Sequence, residues 1–223
     1  MNYGELNMRE EFLVSSFNEL ADAVINGNFA KVNEITVGMI DSKVDPLRII
    51  SEGLIAGMNV VGVRFKAEDM FVPEVMMSAK AMAGGMDIVK PLIADADMPS
   101  AGTVVVGTVK GDLHDIGKSL VCMILESAGF EVINLGTDIP PEGFVQAVRE
   151  HKPQIVGLSA LLTTTMLNMK STIELLKEEG LRDGIKVIIG GAPVSQSFAD
   201  EIGADGYGPD AMAAKELCLR LLA

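Results

Sequence analysis

The side chains with chemical potential gather in one stretch, Gly107-Thr-Val-Lys-Gly-Asp112-Leu-His114-Asp115-Ile-Gly117-Lys-Ser119. It holds one of the chain's two histidines, with Asp112 two residues before it and Asp115 directly after. An imidazole beside a carboxylate can serve a nucleophile as base, or bind a metal through one nitrogen while the other donates to the carboxylate. Gly117-Lys118-Ser119 also has the ending of a phosphate loop. The spacing fails, because five residues separate Gly111 from Gly117 where that loop has four. Asp112 and Asp115 would also repel phosphate.

A hydrolytic site needs a nucleophile within reach of the histidine. There is no Gly-x-Ser-x-Gly elbow, and Ser119 falls inside the helix expected to follow. A closed zinc site would need further histidines or cysteines nearby, and the sequence has none there. One histidine suits a metal whose remaining ligands come from a cofactor, which points to a macrocycle with the protein giving one axial ligand. A plain loop histidine bonded to a backbone carbonyl stays open at this point. His151, just before Lys152-Pro153, reads as a cation at a helix C-terminus.

The elements around the stretch place it. Thr103-Val104-Val105-Val106 reads as a buried strand, and Ile116, Leu120, Val121, Ile124 and Leu125 recur at helical spacing. The stretch is therefore a strand-to-helix loop at the carboxyl edge of a sheet, where ligands bind in open α/β folds. Strands are expected near 103–109, 131–136, 154–159, 186–190 and 204–207. Helices are expected near 115–128, 141–151, 165–179, 194–202 and 210–222. This alternation implies a parallel sheet with right-handed crossovers, flavodoxin-like in kind.

Residues 1 to about 90 show helical periodicity only. Leu13, Phe17, Leu20 and Val24 form one stripe, and Asn28 can cap a helix to about Ser42. Asp45-Pro46 opens a third helix, with Leu47, Ile50, Leu54, Met58, Val61 and Phe65 as its stripe. Phe71-Val72-Pro73-Glu74 opens a fourth, with Val75, Ala79, Met82, Met86 and Val89. The expected architecture is α/β: a four-helix-bundle cap over 1–90, a linker over 91–102, and a five-stranded parallel sheet domain over 103–223.

Composition narrows the classes. The 223 residues are 48% hydrophobic and 22% charged, with a net charge of −13. An acidic chain does not suit a nucleic-acid backbone or an anionic membrane surface. No run approaches a membrane-spanning length and no basic-then-apolar leader opens the chain, so a cytoplasmic protein is expected. Cys122 and Cys218 read as buried thiols. The 14 methionines fill cores flexibly and also suit surfaces that meet several partners.

Asp112-x-His114-x-x-Gly117 resembles the cobalamin-binding signature Asp-x-His-x-x-Gly. Ser159-Ala-Leu161 after the third strand and Gly190-Gly191 after the fourth match its further parts, Ser-x-Leu and Gly-Gly. The upstream helices resemble the cap of the same proteins. The likeness covers nearly the whole chain, and is to corrinoid proteins of the methanogen and acetogen methyltransferase systems and to the cobalamin module of methionine synthase.

The resemblance implies base-off, His-on cobalamin, with His114 as lower axial ligand of cobalt and Asp112 as its partner. It implies a hydroxyl completing the relay at Thr165, with Thr163 and Thr164 as neighbouring candidates. It implies that Asp115, Gly117, Ser159, Leu161, Thr163, Gly190, Gly191 and Tyr207 line the cofactor site, and that Phe65, Val72 and Val75 cover the upper face. The implied role is a methyl carrier, not catalytic alone or the corrinoid subunit of a methyltransferase system. Implied partners are a substrate:corrinoid methyltransferase, a second methyltransferase with a thiol or tetrahydrofolate acceptor, and a reductive activase. A cobalamin-dependent sensor is the alternative from another class, and an adenosylcobalamin mutase subunit is a third. The helical segment favours methyl transfer over both.

Overall fold

The helices of the N-terminal part begin where short polar side chains satisfy free N–H groups. After α1 (Tyr3–Ile25), the Asn28 side chain accepts the Lys31 N–H at 3.1 Å and opens α2 (Phe29–Asp41). Asp45 accepts the Leu47 N–H at 3.1 Å and Pro46 takes the first turn of α3 (Pro46–Lys66). Glu74 Oε2 accepts the Phe71 N–H at 2.8 Å at the start of α4 (Val72–Val89). The computed structural model describes residues 3–93 and 100–223, with side chains from residue 13 onward.

Helix α3 buries Ile50, Leu54, Met58 and Val61 of the expected stripe and widens it. Its segment Ile49–Ile55 is π-helical, and the buried positions pair off as Ile49/Ile50, Gly53/Leu54, Gly57/Met58 and Val61/Gly62. The wider turn stretches the repeat to four residues, so the core face does not follow a 3.6 period. Small residues on that face let α3 approach α1 closely: a Cβ on Gly57 would lie 2.7 Å from the Ala21 carbonyl oxygen. By length and composition α3 alone among the described residues could cross a membrane, although 44% of that stretch is buried inside the protein. Arg48, Glu52, Arg64 and Lys66 lie along it, and Arg48 pairs with Glu52 at 2.6 Å.

The chain divides into two compact units, Met1–Pro99 and Ser100–Ala223. The expected linker falls partly on 94–99, outside the described residues. On its flanks Lys90–Leu92 form a 3-10 turn and β1 already opens at Gly102.

The second unit alternates β1 (Gly102–Thr108), α5 (Ile116–Ser127), β2 (Phe130–Asn134), α6 (Pro141–His151), β3 (Ile155–Ser159), α7 (Leu167–Glu178), β4 (Lys186–Gly190), α8 (Gln196–Ile202), β5 (Gly206–Tyr207) and α9 (Ala211–Leu222). All strand pairs are parallel, in the order β2-β1-β3-β4-β5. The fold is thus the expected doubly wound α/β sheet behind a helical N-terminal part. Successive residues face opposite sides. Val105, Val156, Leu158, Val187 and Ile189 pack with α6, α7 and α8, whereas Val104, Val106, Ile155 and Ile188 pack with α5 and α9. Cys122 and Cys218 lie in the second of these cores, where burial pushes their thiols up to about 11 and about 12. Neither is a thiolate at neutral pH.

Order and register create the site. The strand sequence reverses direction of progress at β1, which has β2 on one side and β3 on the other. Thr108, Ser159 and Gly190 are register partners in a row across β1, β3 and β4. The loops after these three strands therefore leave the sheet side by side, at the switch point where such folds open a crevice.

Candidate functional site

Asp112 is the fixed point of the site. Its residue is fully buried, and its carboxylate accepts from five donors. Oδ1 accepts the His114 ring Nδ1 at 2.8 Å and the His114 N–H at 3.1 Å. Oδ2 accepts the Thr165 hydroxyl at 2.6 Å, the Leu161 N–H at 2.8 Å and the Leu162 N–H at 3.3 Å. Burial alone would push this carboxyl up. The Thr165 hydroxyl, the Leu161 N–H, and the His114 ring and N–H outweigh it and hold Asp112 well below the usual carboxylate range.

An ionised Asp112 dictates the state of His114. A carboxylate only accepts, so Nδ1 carries a proton, and in the neutral imidazole the lone pair is on Nε2. The imidazole is about half exposed, at 52% of its side-chain surface. A buried carboxylate thus presents one basic nitrogen outward at the edge of the sheet, the arrangement that orients a histidine as a metal ligand. The backbone is held as well: the buried Thr108 hydroxyl donates to the His114 carbonyl at 2.9 Å, and Asn168 Nδ2 donates to the Lys110 carbonyl at 2.8 Å. Sequence reasoning passed over both residues, although Thr108 ends the apolar strand and was placed to be read.

Of the three adjacent threonines, Thr165 is buried against Asp112 and Thr163 and Thr164 are exposed. Ser159 is partly buried at the end of β3, and Tyr207 is partly buried at the end of β5. Asp115 precedes α5 and is exposed; its side chain makes no cap bond, while its carbonyl takes the Ser119 N–H. Leu113, Ile116, Leu161 and Leu162 are exposed apolar side chains on the two loops around His114. Phe65, Val72 and Val75 belong to the helical unit, where Val75 is buried and the other two are partly so.

The three signature glycines differ in cause. Gly191 has φ +130°, and a Cβ there would fall 1.7 Å from the Ala160 carbonyl oxygen. A Cβ on Gly190 would lie 3.1 Å from the Gly208 carbonyl oxygen. Gly191 is therefore needed by the protein's own backbone, whereas at Gly190 a Cβ would be a tight contact that a shift of a few tenths of an ångström relieves. Gly117 lies in the first turn of α5 with nothing within 4 Å of its would-be Cβ, so the fold does not require it. Gly191→Ala is accordingly expected to destabilise the apoprotein by about 3 kcal/mol. Gly117→Ala should raise apoprotein stability by about 0.5 kcal/mol, since alanine suits a helix better. It should nonetheless weaken ligand retention. Thermal unfolding and ligand titration of both variants separate these outcomes.

Buried carboxylate, outward imidazole nitrogen, exposed apolar neighbours and open glycine position together fit a flat macrocycle whose metal takes one ligand from the protein. The comparisons agree. The B12 binding domain family matches residues 102–215, and a second B12 binding domain family matches residues 16–90. The chain is 48% identical to the dimethylamine corrinoid protein of Methanosarcina barkeri, over 92% of this chain and 96% of that one. It is 46% identical to a corrinoid protein of Desulfitobacterium hafniense (strain Y51), over 94% and 99%. Among solved structures, a chain of the methanol:cobalamin methyltransferase complex of Methanosarcina barkeri matches with a TM-score of 0.82 and 35% identity, covering 91% of this chain and 77% of that one.

Proposed function

The chain belongs to the B12-binding corrinoid proteins of methyltransferase systems, and on that footing we propose that it carries a methyl group between two methyltransferases, with His114 as the lower axial base. The corrinoid supplies a cobalt that accepts and releases the methyl group.

His114 offers Nε2, and Asp112 Oδ1 holds the opposite nitrogen's proton at 2.8 Å. When Nε2 is released it is free to take a proton. Asp112 is held ionised by the Thr165 hydroxyl and the Leu161 N–H, so the carboxylate is not the site that takes it. Binding and release at Nε2 are thereby coupled to one proton on the same nitrogen. Thr165 completes the relay, since its hydroxyl touches Oδ2 at 2.6 Å, whereas Thr163 and Thr164 are exposed.

The loops after β3 and β4 supply the rest of the proposed cofactor site: Ser159, Leu161, Thr163, Gly190 and Gly191, with Gly117, Asp115 and Tyr207 at its borders. Phe65, Val72 and Val75 are assigned to the upper face through the family likeness. The domain limits 1–90 and 103–223 rest on the change from helical to alternating periodicity, and a cytoplasmic site of action on the composition.

The single observation that carries this reading is the Asp112–His114–Thr165 arrangement, which leaves one lone pair facing out. The donor is a small methylated compound: a methylamine, methanol, a methylthiol or a methoxylated aromatic. Higher identity to the dimethylamine corrinoid protein than to the methanol complex supports an amine. The partners are a substrate:corrinoid methyltransferase, a second methyltransferase with a thiol or tetrahydrofolate acceptor, and a reductive activase.

The test is electron paramagnetic resonance of the Co(II) form, reconstituted after growth on 15N-histidine. A two-line nitrogen splitting puts a protein histidine on cobalt. A three-line 14N splitting would leave the cofactor's own base bound and overturn the axial role.

A further inference from the structure

The His114 loop is gripped on two sides, and only one grip belongs to the signature. Leu161 and Thr165 hold the Asp112 carboxylate from the β3 side. On the β2 side the loop Leu135–Ile139 makes a second set of bonds. Asp138 Oδ1 accepts the Gly111 N–H at 2.7 Å, and the Asp138 N–H donates to the Asp112 carbonyl at 3.0 Å. The Ile139 N–H donates to the Thr108 carbonyl and the Thr108 N–H to the Gly136 carbonyl. One residue thus fixes the turn immediately before the ligand pair by both its side chain and its backbone.

That loop is itself anchored. Asn134 Oδ1 accepts the buried Lys118 ammonium at 2.6 Å and the Gly136 N–H at 3.0 Å. Asp138 also sits at φ +57°, a left-handed conformation that non-glycine residues adopt at a cost. Glycine would meet that backbone demand better. Aspartate at this position makes sense if its carboxylate is needed.

We propose that Asp138 is a positioning residue, which fixes the Gly111–Asp112 turn and through it the aim of His114. The inference rests on the axial role proposed above, but its main test does not need the cofactor. Three apoproteins are compared by amide hydrogen exchange: the native chain, Asp138→Gly and Asp138→Asn. Glycine accepts φ +57° freely but has no acceptor, whereas asparagine keeps both the conformation and an acceptor oxygen.

In Asp138→Gly the Gly111 and His114 amides should both exchange about fivefold faster, as loss of one net hydrogen bond implies. In Asp138→Asn both should stay within about twofold of native. A role confined to the left-handed backbone of Asp138 itself predicts native exchange at both amides in the glycine variant, and that result overturns the proposal. Faster exchange at Gly111 alone, with His114 unchanged, overturns it too, because the hold would not reach the histidine. In the loaded Co(II) form the glycine variant should show a smaller share of the histidine nitrogen splitting than native. If native protein itself lacks that splitting, the axial reading falls while the exchange result still decides the Asp138 contact.

Discussion

His114→Gly, loaded with corrinoid, is expected to keep its cofactor, lose the histidine nitrogen coupling, and transfer methyl groups on the order of 100-fold more slowly than native protein. Folding should barely change. The imidazole is about half exposed, and its removal takes away one of the five donors to Asp112, leaving the Thr165 hydroxyl and three backbone N–H groups. The defect therefore separates from stability, which thermal unfolding of the apoprotein checks. Added imidazole supplies a second arm. The vacated place is open to solvent, and Asp112 Oδ1 remains to accept an N–H. Free imidazole should bind there, restore a nitrogen coupling and recover part of the rate. Rates and spectra equal to native in the variant would remove His114 from the axial position. A rate defect with an unchanged spectrum would do the same, since the residue would then act elsewhere than on cobalt.

Why so much of this site was readable is clear from the residues that carry it. Asp112, His114 and Gly117 are neighbours in the chain, and the strand before them and helix after them have opposite periodicities. Ser159 and Gly190 are far away in sequence, yet parallel pairing sets them level with Thr108. Once β1, β3 and β4 are recognised, topology does the rest. Thr165 is named by its spacing from Ser159, but with Thr163 and Thr164 beside it, because spacing alone fixes poorly which side of a one-turn loop faces inward. Burial decides it.

The unread part has physical reasons too. Asp138 and Asn134 act across a loop whose hydrogen bonds leave no periodic trace. The π-helical segment Ile49–Ile55 leaves no sign in the sequence pattern: it adds Ile49 and Gly53 to the buried face beside Ile50 and Leu54 of the expected stripe. Strand ends moved by a residue or two where pairing rather than hydrophobicity sets the limit: β5 keeps only Gly206–Tyr207, because those two alone find partners, on β4.

Asp112→Asn should show the largest loss of stability of any change in the loop, about 2 to 3 kcal/mol at neutral pH. The native carboxylate only accepts, and each oxygen faces donors: the His114 ring and N–H on Oδ1, and Thr165, Leu161 and Leu162 on Oδ2. An amide turns one of those oxygens into a donor, so whichever way it flips it opposes an N–H or O–H. With the residue fully buried, water cannot relieve the clash.

The loss should shrink in acid. The Asp112 carboxyl is held below the usual range when folded, and returns to about 3.9 when unfolded. Between those two values the unfolded chain binds a proton that the folded one does not, so native stability falls as pH drops. The ionised group contributes fully above about pH 4 and less and less below it. The amide has no such proton, so the gap between native and variant should narrow from pH 5 to pH 3 in urea titrations. A gap that stays constant over that range would mean that Asp112 is not the ionised centre of the site. The same substitution should also cost about 10- to 100-fold in corrinoid affinity or methyl transfer. Without an ionised acceptor at Nδ1 nothing compels the His114 proton to that nitrogen, and Nε2 is no longer kept free to bind.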